Sequence, residues 1–191
     1  LKDLQMPVYV FDLQLEKHLY IDGLPLHWYG LDEQEGNSTK LKHKIRLFLH
    51  TGSFQFNKND VQTEEDLVKG IGFHYVKTNQ TRHRVPVDEQ VDTFIQTLLS
   101  IPENSWVHMH CSAGQGRTSI GMVCYDILKN GKRVSLEDIV KRQHILGSED
   151  LFDTQVWENG TYSKEMLETR KHFIQLFYKY INDPKGFGYQ S

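Results

Sequence analysis

Only two cysteines, Cys111 and Cys124, occur in the 191 residues of this chain. That scarcity excludes a disulfide framework and any multi-cysteine metal site, so each thiol needs a local explanation. Long apolar runs are missing too: no uncharged stretch approaches the roughly 20 residues that a membrane-spanning helix requires. The first residues, LKDLQMPVYV, lack the layout of a secretory signal. A large excess of one charge is also absent. The net charge of −3 predicts no general affinity for nucleic acid or acidic membranes.

What is present describes a folded protein. Apolar residues make up 38% and charged residues 25%, the balance of a globular chain held by packing rather than a disordered one. The length suits a single domain over residues 1–191 with its own hydrophobic core. The chain starts at Leu1 rather than methionine, as a processed or excised part of a longer chain does. Basic residues gather twice, Lys77 with Arg82, His83 and Arg84, and Lys40 with Lys42, His43, Lys44 and Arg46. Solvated surface is the plain explanation of either group.

Hydrophobic spacing predicts strands at Pro7–Leu15, Ile45–His50, Phe73–Lys77 and Trp106–His110, the last a short apolar run of the kind that forms a buried strand. Between Gly30 and Lys44 the chain is polar and reads as a loop. Val91, Phe94, Ile95, Leu98 and Leu99 recur at helical spacing behind Pro86, Asp88 and Glu89, which suit a first turn. Ile120, Val123, Ile127 and Leu128 mark a second helix that stops at Asn130-Gly131. Ser135 and Asp138 resemble a capping box opening a third, through about His144. Met166, Leu167, Phe173, Leu176, Phe177 and Tyr180 mark a fourth, from about Lys164 to Tyr180. Strands alternating with helices predict an α/β fold with a central, largely parallel sheet flanked by helices.

The segment HCSAGQGRTS, His110 to Ser119, lies between the last strand and the second helix. A strand-loop-helix turn of small residues lets backbone N–H groups converge on one point at the positive end of a helix dipole, a site for an anion. Cys111 would feel the same field, which favours thiolate and makes the sulfur a nucleophile at neutral pH. Ser112, Ala113, Gly114, Gln115 and Gly116 form the cradle, where the two glycines permit backbone angles closed to other residues and a close approach to the ligand. Arg117 offers a planar fork of donors for two oxygens of a phosphoryl group. These parts predict attack on phosphorus with a covalent phosphocysteine intermediate. Thr118 is placed to donate its hydroxyl to the leaving thiolate, and His110 to order the loop. Cys124 falls on the apolar helix face and reads as a small hydrophobe.

HCSAGQGRTS is the C-x5-R-[ST] signature of the cysteine-dependent phosphatases, and the chain around it resembles one branch, the protein-tyrosine-phosphatase-like phytases of bacteria. The segment from Val10 to His18, with Ile21-Asp22-Gly23 and Trp28-Tyr29-Gly30 after it, is similar to that family's D-L-R-x-E-x-H segment and the N-G and W-Y-G that follow. Pro86 to Asp92 resembles the helix before the signature, and Lys129-Asn130 and Arg142-Gln143-His144 the segments after it. The resemblance implies a tyrosine-phosphatase-like fold, no metal or cofactor, and inositol polyphosphate as the phosphorylated small molecule, with phosphotyrosine and phosphoinositides as substrates of relatives. It implies Cys111 as nucleophile, Arg117 as phosphate clamp, and Asp12, His83 and Lys164 in the substrate pocket. Locally the same three residues also read as a strand-ending turn, a solvated loop residue and a charge complementing a helix.

One departure bears on the chemistry. The family's threonine-aspartate-histidine, whose aspartate is the general acid, is here Thr81-Arg82-His83. Arg82 is permanently cationic and cannot protonate a departing alkoxide. Such protonation is worth about 10²–10⁴ in rate. Three readings follow: another acid substitutes (Asp88, Glu89, His83 or one of Glu149, Asp150 and Asp153), the protein acts slowly or on easier leaving groups, or it binds phosphate without turnover. Arg82, with Lys77, His83 and Arg84, would then face a highly phosphorylated ligand as donors.

Overall fold

A computed structural model of the chain describes residues 5–16, 18–21, 24–26, 61–158 and 160–183. The expected strand Ile45–His50, the loop from Gly30 to Lys44 and the basic group around Lys42 lie outside the described residues. Elements follow the order β1 (Val8–Asp12), β2 (Leu19–Ile21), β3 (Leu24–Leu26), β4 (Val61–Thr63), α1 (Glu64–Gly70), β5 (His74–Lys77), α2 (Asp88–Ser100), β6 (Trp106–His110), α3 (Gly116–Asn130), α4 (Leu136–Ile145) and α5 (Lys164–Asn182). The described residues fall into two compact units, divided between Leu15 and Glu16 and between Phe73 and His74. None of their helices is long and apolar enough to cross a membrane.

In the smaller unit β2 pairs antiparallel with β3 on one side and β4 on the other. Thr63 ends β4 and caps α1: its hydroxyl accepts from Asp66 N at 3.1 Å while Asp66 Oδ2 accepts from Thr63 N at 3.1 Å. That reciprocal box satisfies two donors that a helix start leaves open.

The larger unit is an α/β arrangement around a parallel sheet of order β5-β1-β6. In the central strand β1, Val8, Val10 and Phe11 are buried, as a parallel strand covered on both faces requires. β6 lies at the edge of the described sheet, so Trp106 is 46% exposed and Met109 is its one buried hydrophobe. Its apolar run therefore reads as a buried strand only in part.

Phe94, Ile95 and Leu98 of α2, Ile120, Val123 and Ile127 of α3, Ile139 and Val140 of α4, and Ile174, Phe177 and Ile181 of α5 join Phe11 and Leu13 in one core. Leu99, Met166, Leu176 and Tyr180 stay exposed, since each sits at the margin of its helix's apolar stripe. α3 stops where expected, but Gly131 keeps a right-handed φ of −60°. Its role is space: a β-carbon there would meet Ile127 O at 2.6 Å.

The crevice outside the carboxyl ends of parallel strands is where open α/β sheets bind ligands. Here the three strand ends are tied together. Thr78 N, after β5, donates to Asp12 O at 3.1 Å; Leu13 N, after β1, donates to His110 O at 2.9 Å; Leu15 N donates to Gln80 O at 3.1 Å. We expect Phe11→Ala, which empties a fully buried site packed edge-on against Phe94, to cost about 3–5 kcal/mol in denaturant unfolding. Leu99→Ala should stay within about 0.5 kcal/mol of the parent.

Candidate active site

Because β6 ends at His110 and α3 begins at Gly116, Cys111 stands at the mouth of the connecting loop. Thr118 Oγ1 donates to Cys111 Sγ at 3.2 Å, and the backbone N–H groups of Thr118 and Ala113 also reach the sulfur. Burial pushes the thiol up, but those three hydrogen bonds and the Arg117 charge outweigh it and hold Cys111 below the ordinary thiol value. The sulfur is therefore biased toward thiolate. Cys124 is the contrast: with no such donors, burial alone raises its pKa, and it packs as core.

Gly114 carries φ +67°, a left-handed angle that glycine adopts without strain, while Ser112 to Gln115 are all exposed. Gly116 has no positive φ, and its bareness answers to a neighbour instead. A β-carbon there would lie 1.9 Å from Tyr162 Oη. Arg117 is 5% exposed and donates from Nη1 to Gln80 O at 3.0 Å, so the carbonyl that receives Leu15 N also steadies the guanidinium.

A wall of side chains from three further segments surrounds this loop. His83 holds φ +60°, unusual for a residue with a β-carbon, and its Nε2 lies 3.1 Å from Thr161 Oγ1. Its ring meets the edge of Tyr162 at 4.8 Å between centroids. Burial, then the Arg82 and Arg117 charges, push the His83 pKa down against the pull of Glu149, so the ring is neutral at pH 7. Arg82 itself is exposed. The Arg170 guanidinium lies over the Tyr162 ring at 5.1 Å and is ion-paired with Glu149, whose backbone N–H donates to the buried Ser119 Oγ at 2.9 Å.

The remaining expected residues have other surroundings. Asp12 is fully buried; its Oδ1 accepts from Gln14 N at 3.1 Å and its Oδ2 from Tyr75 Oη at 2.7 Å and Lys77 Nζ at 2.5 Å. It thus orients Lys77. Lys164, in the first turn of α5, is 70% exposed and faces Glu168 at 3.9 Å. His110 ends β6 opposite Asp12, and its ring stacks on His108 at 5.9 Å. Among the candidate acids, Asp88 and Glu89 are exposed in the first turn of α2, Asp150 and Asp153 accept local backbone N–H groups at 2.8 Å each, and Glu149 is committed to Arg170. Tyr162 and Arg170 were not foreseen: they lie outside the six-residue spacing of the loop and meet it only in the fold.

Known proteins are similar to this chain over most of its length. The PTP-like phytase (inositol hexakisphosphate) family matches residues 39–129. A solved PTP-like phytase from Bdellovibrio bacteriovorus is 36% identical at a TM-score of 0.70, over 94% of this chain and 73% of its own. A PTP-like myo-inositol phosphatase from Mitsuokella multacida, solved in complex with myo-inositol-(1,3,4,5)-tetrakisphosphate, is 30% identical at a TM-score of 0.75 over 92% of this chain. Effector protein hopD2 of Pseudomonas syringae pv. tomato is 28% identical over 94% of this chain. This chain belongs to the PTP-like phytase family. It spans 44% of the length of hopD2 and 34% of the Mitsuokella chain.

The donors around Cys111 set a pH test. Alkylation of Cys111 by iodoacetamide should reach half its maximal rate below the ~8.5 of a free thiol, because the folded environment favours the anion. Thr118→Val removes one donor and should move that midpoint upward; an unmoved midpoint would mean the 3.2 Å contact contributes nothing to the thiolate.

Proposed function

We propose that this chain is a cysteine-dependent phosphomonoesterase of inositol phosphates that works through a phosphocysteine intermediate. The observation that carries the reading is Cys111: a thiol held below its ordinary pKa by Thr118 and backbone donors, beside the buried guanidinium of Arg117. In this reading the backbone of Ser112 to Gly116 and the Arg117 fork hold the phosphoryl oxygens while Cys111 Sγ attacks phosphorus. Thr118 then donates its hydroxyl hydrogen bond to the thiolate as water displaces it. Family membership and the inositol tetrakisphosphate complex of the Mitsuokella protein support inositol phosphates as the substrate class.

Arg82, His83 and Lys77 supply donors for the further phosphates of such a ligand, with Asp12 fixing Lys77 and Lys164 available on the exposed start of α5. The residue at position 82 favours a second reading, a module that binds phosphates without turning them over. Phosphate-release assays on inositol hexakisphosphate and on p-nitrophenyl phosphate decide between them. We expect release from both, the aryl ester faster, and none above background from Cys111→Ser, which should still bind inositol hexakisphosphate in calorimetry. Binding by the parent chain with no release from either ester would establish the module instead.

A further inference from the structure

An unassigned feature of the cradle is the phenol of Tyr162. Its oxygen packs on the bare backbone of Gly116, one residue before the Arg117 clamp, so closely that no β-carbon fits between them. Among the described residues that hydroxyl makes no hydrogen bond. It is not a loosely held group. Arg170 covers the ring face at 5.1 Å, His83 meets its edge at 4.8 Å, and Arg170 is in turn fixed by the Glu149 ion pair and the Glu149 N–H to Ser119 Oγ bond at 2.9 Å. A polar O–H placed at the cradle, backed by these contacts and without an acceptor among the described residues, is a group waiting for a ligand oxygen.

Among the other candidates, Asp150 and Asp153 are held in local turns, Glu149 pairs with Arg170, His83 is held below its ordinary pKa by burial and the Arg82 and Arg117 charges, and Arg82 cannot release a proton, while Asp88 and Glu89 stand exposed in the first turn of α2. Resting on the phosphomonoesterase reading above, we propose that the Tyr162 hydroxyl is the proton donor to the leaving alkoxide, in place of the carboxylic acid that Arg82 displaces. The step balances as follows. Cys111 Sγ bonds to phosphorus as the P–O bond to the inositol breaks; that electron pair goes to the inositol oxygen, which takes the Tyr162 proton and leaves as an alcohol. Water then attacks phosphorus, giving its hydroxyl to the phosphate and its proton to the tyrosinate, while the S–P pair returns to Cys111 beside Thr118. Arg170 and Arg117 stabilise the transient tyrosinate.

The titratable and charged groups facing the phenol are Cys111 and Arg117 from the loop and α3, Glu149 from the segment after α4, Arg170 from α5, and the His83 ring from the loop after β5. Burial, then Glu149, push the phenol's pKa up; Arg170 opposes this, Cys111 adds to it and Arg117 opposes it, leaving it above its ordinary value. A raised pKa keeps the O–H protonated across the whole physiological range, so the donor stays loaded where a carboxylic acid would be mostly ionised. Its weaker acidity matches an alkoxide better than an aryloxide leaving group.

The test compares leaving groups. Tyr162→Phe keeps the ring against Arg170 and His83 and should lower kcat on inositol hexakisphosphate by about 10²–10⁴-fold, but on p-nitrophenyl phosphate, whose leaving group needs no proton, by less than about tenfold. Equal losses on both esters would make Tyr162 a wall of the pocket only, and no loss on either would remove it from the reaction; both results overturn the proposal while leaving the phosphatase reading intact. Release from neither ester by the parent chain would instead overturn that reading, and this proposal with it. A second measurement needs no variant. The parent's ratio of inositol to aryl rates should stay level from about pH 5 to about pH 9, and a ratio that falls through the carboxylate or imidazole range would assign the proton to those groups and contradict Tyr162.

Discussion

A buried sulfur anion is unfavourable unless donors surround it, and the larger unit is arranged to supply those donors at Cys111. β6 must end at His110 for the sulfur to stand under the first turn of α3, and Thr118 must follow seven residues later for its hydroxyl to return to it. Arg117 reaches the same point from a buried position because Gln80 O, fixed through Leu15 N to the end of β1, accepts from its Nη1. The parallel sheet matters to the chemistry mainly through this convergence of three strand ends. Loosening any of them would let the guanidinium or the loop drift from the sulfur.

Arg82 places a cation close enough to His83 to bear on its charge. Burial first, then this cation and Arg117, hold the His83 pKa down, and Arg82 adds attraction for an anion while having no proton to give. The compensating group lies on a different element: the T-Y-S turn before α5, stacked under Arg170 and pressed on Gly116. The glycine at 116 and the tyrosine at 162 are thus one structural decision, since each leaves room for the other.

Much of the larger unit was legible in the sequence. The cradle could be read because Cys111, its small residues and Arg117 are contiguous, and a strand-loop-helix turn has few other uses. The helices could be read from their 3.6-residue spacing, yet that spacing marks a stripe and not its edges, so Leu99, Leu176 and Tyr180 were read into the helical pattern but face solvent, and Ile174 and Ile181 were passed over. The strands β2 and β4 are only three residues long, too short for alternation to register. The start of α1 did carry a signal, Thr63 three residues before Asp66. Tyr162 and Arg170 were illegible for another reason, and Glu149 was read only as a candidate acid and not as the partner of Arg170: they come from separate segments, and only tertiary packing makes them neighbours of the loop.

The account stands on a covalent bond between sulfur and phosphorus. Rapid-quench mass spectrometry of the chain mixed with p-nitrophenyl phosphate should find phosphorus on the peptide that contains Cys111, appearing before free phosphate reaches its steady rate. Turnover with that peptide unmodified at every time point, or with the label on another residue, would contradict it.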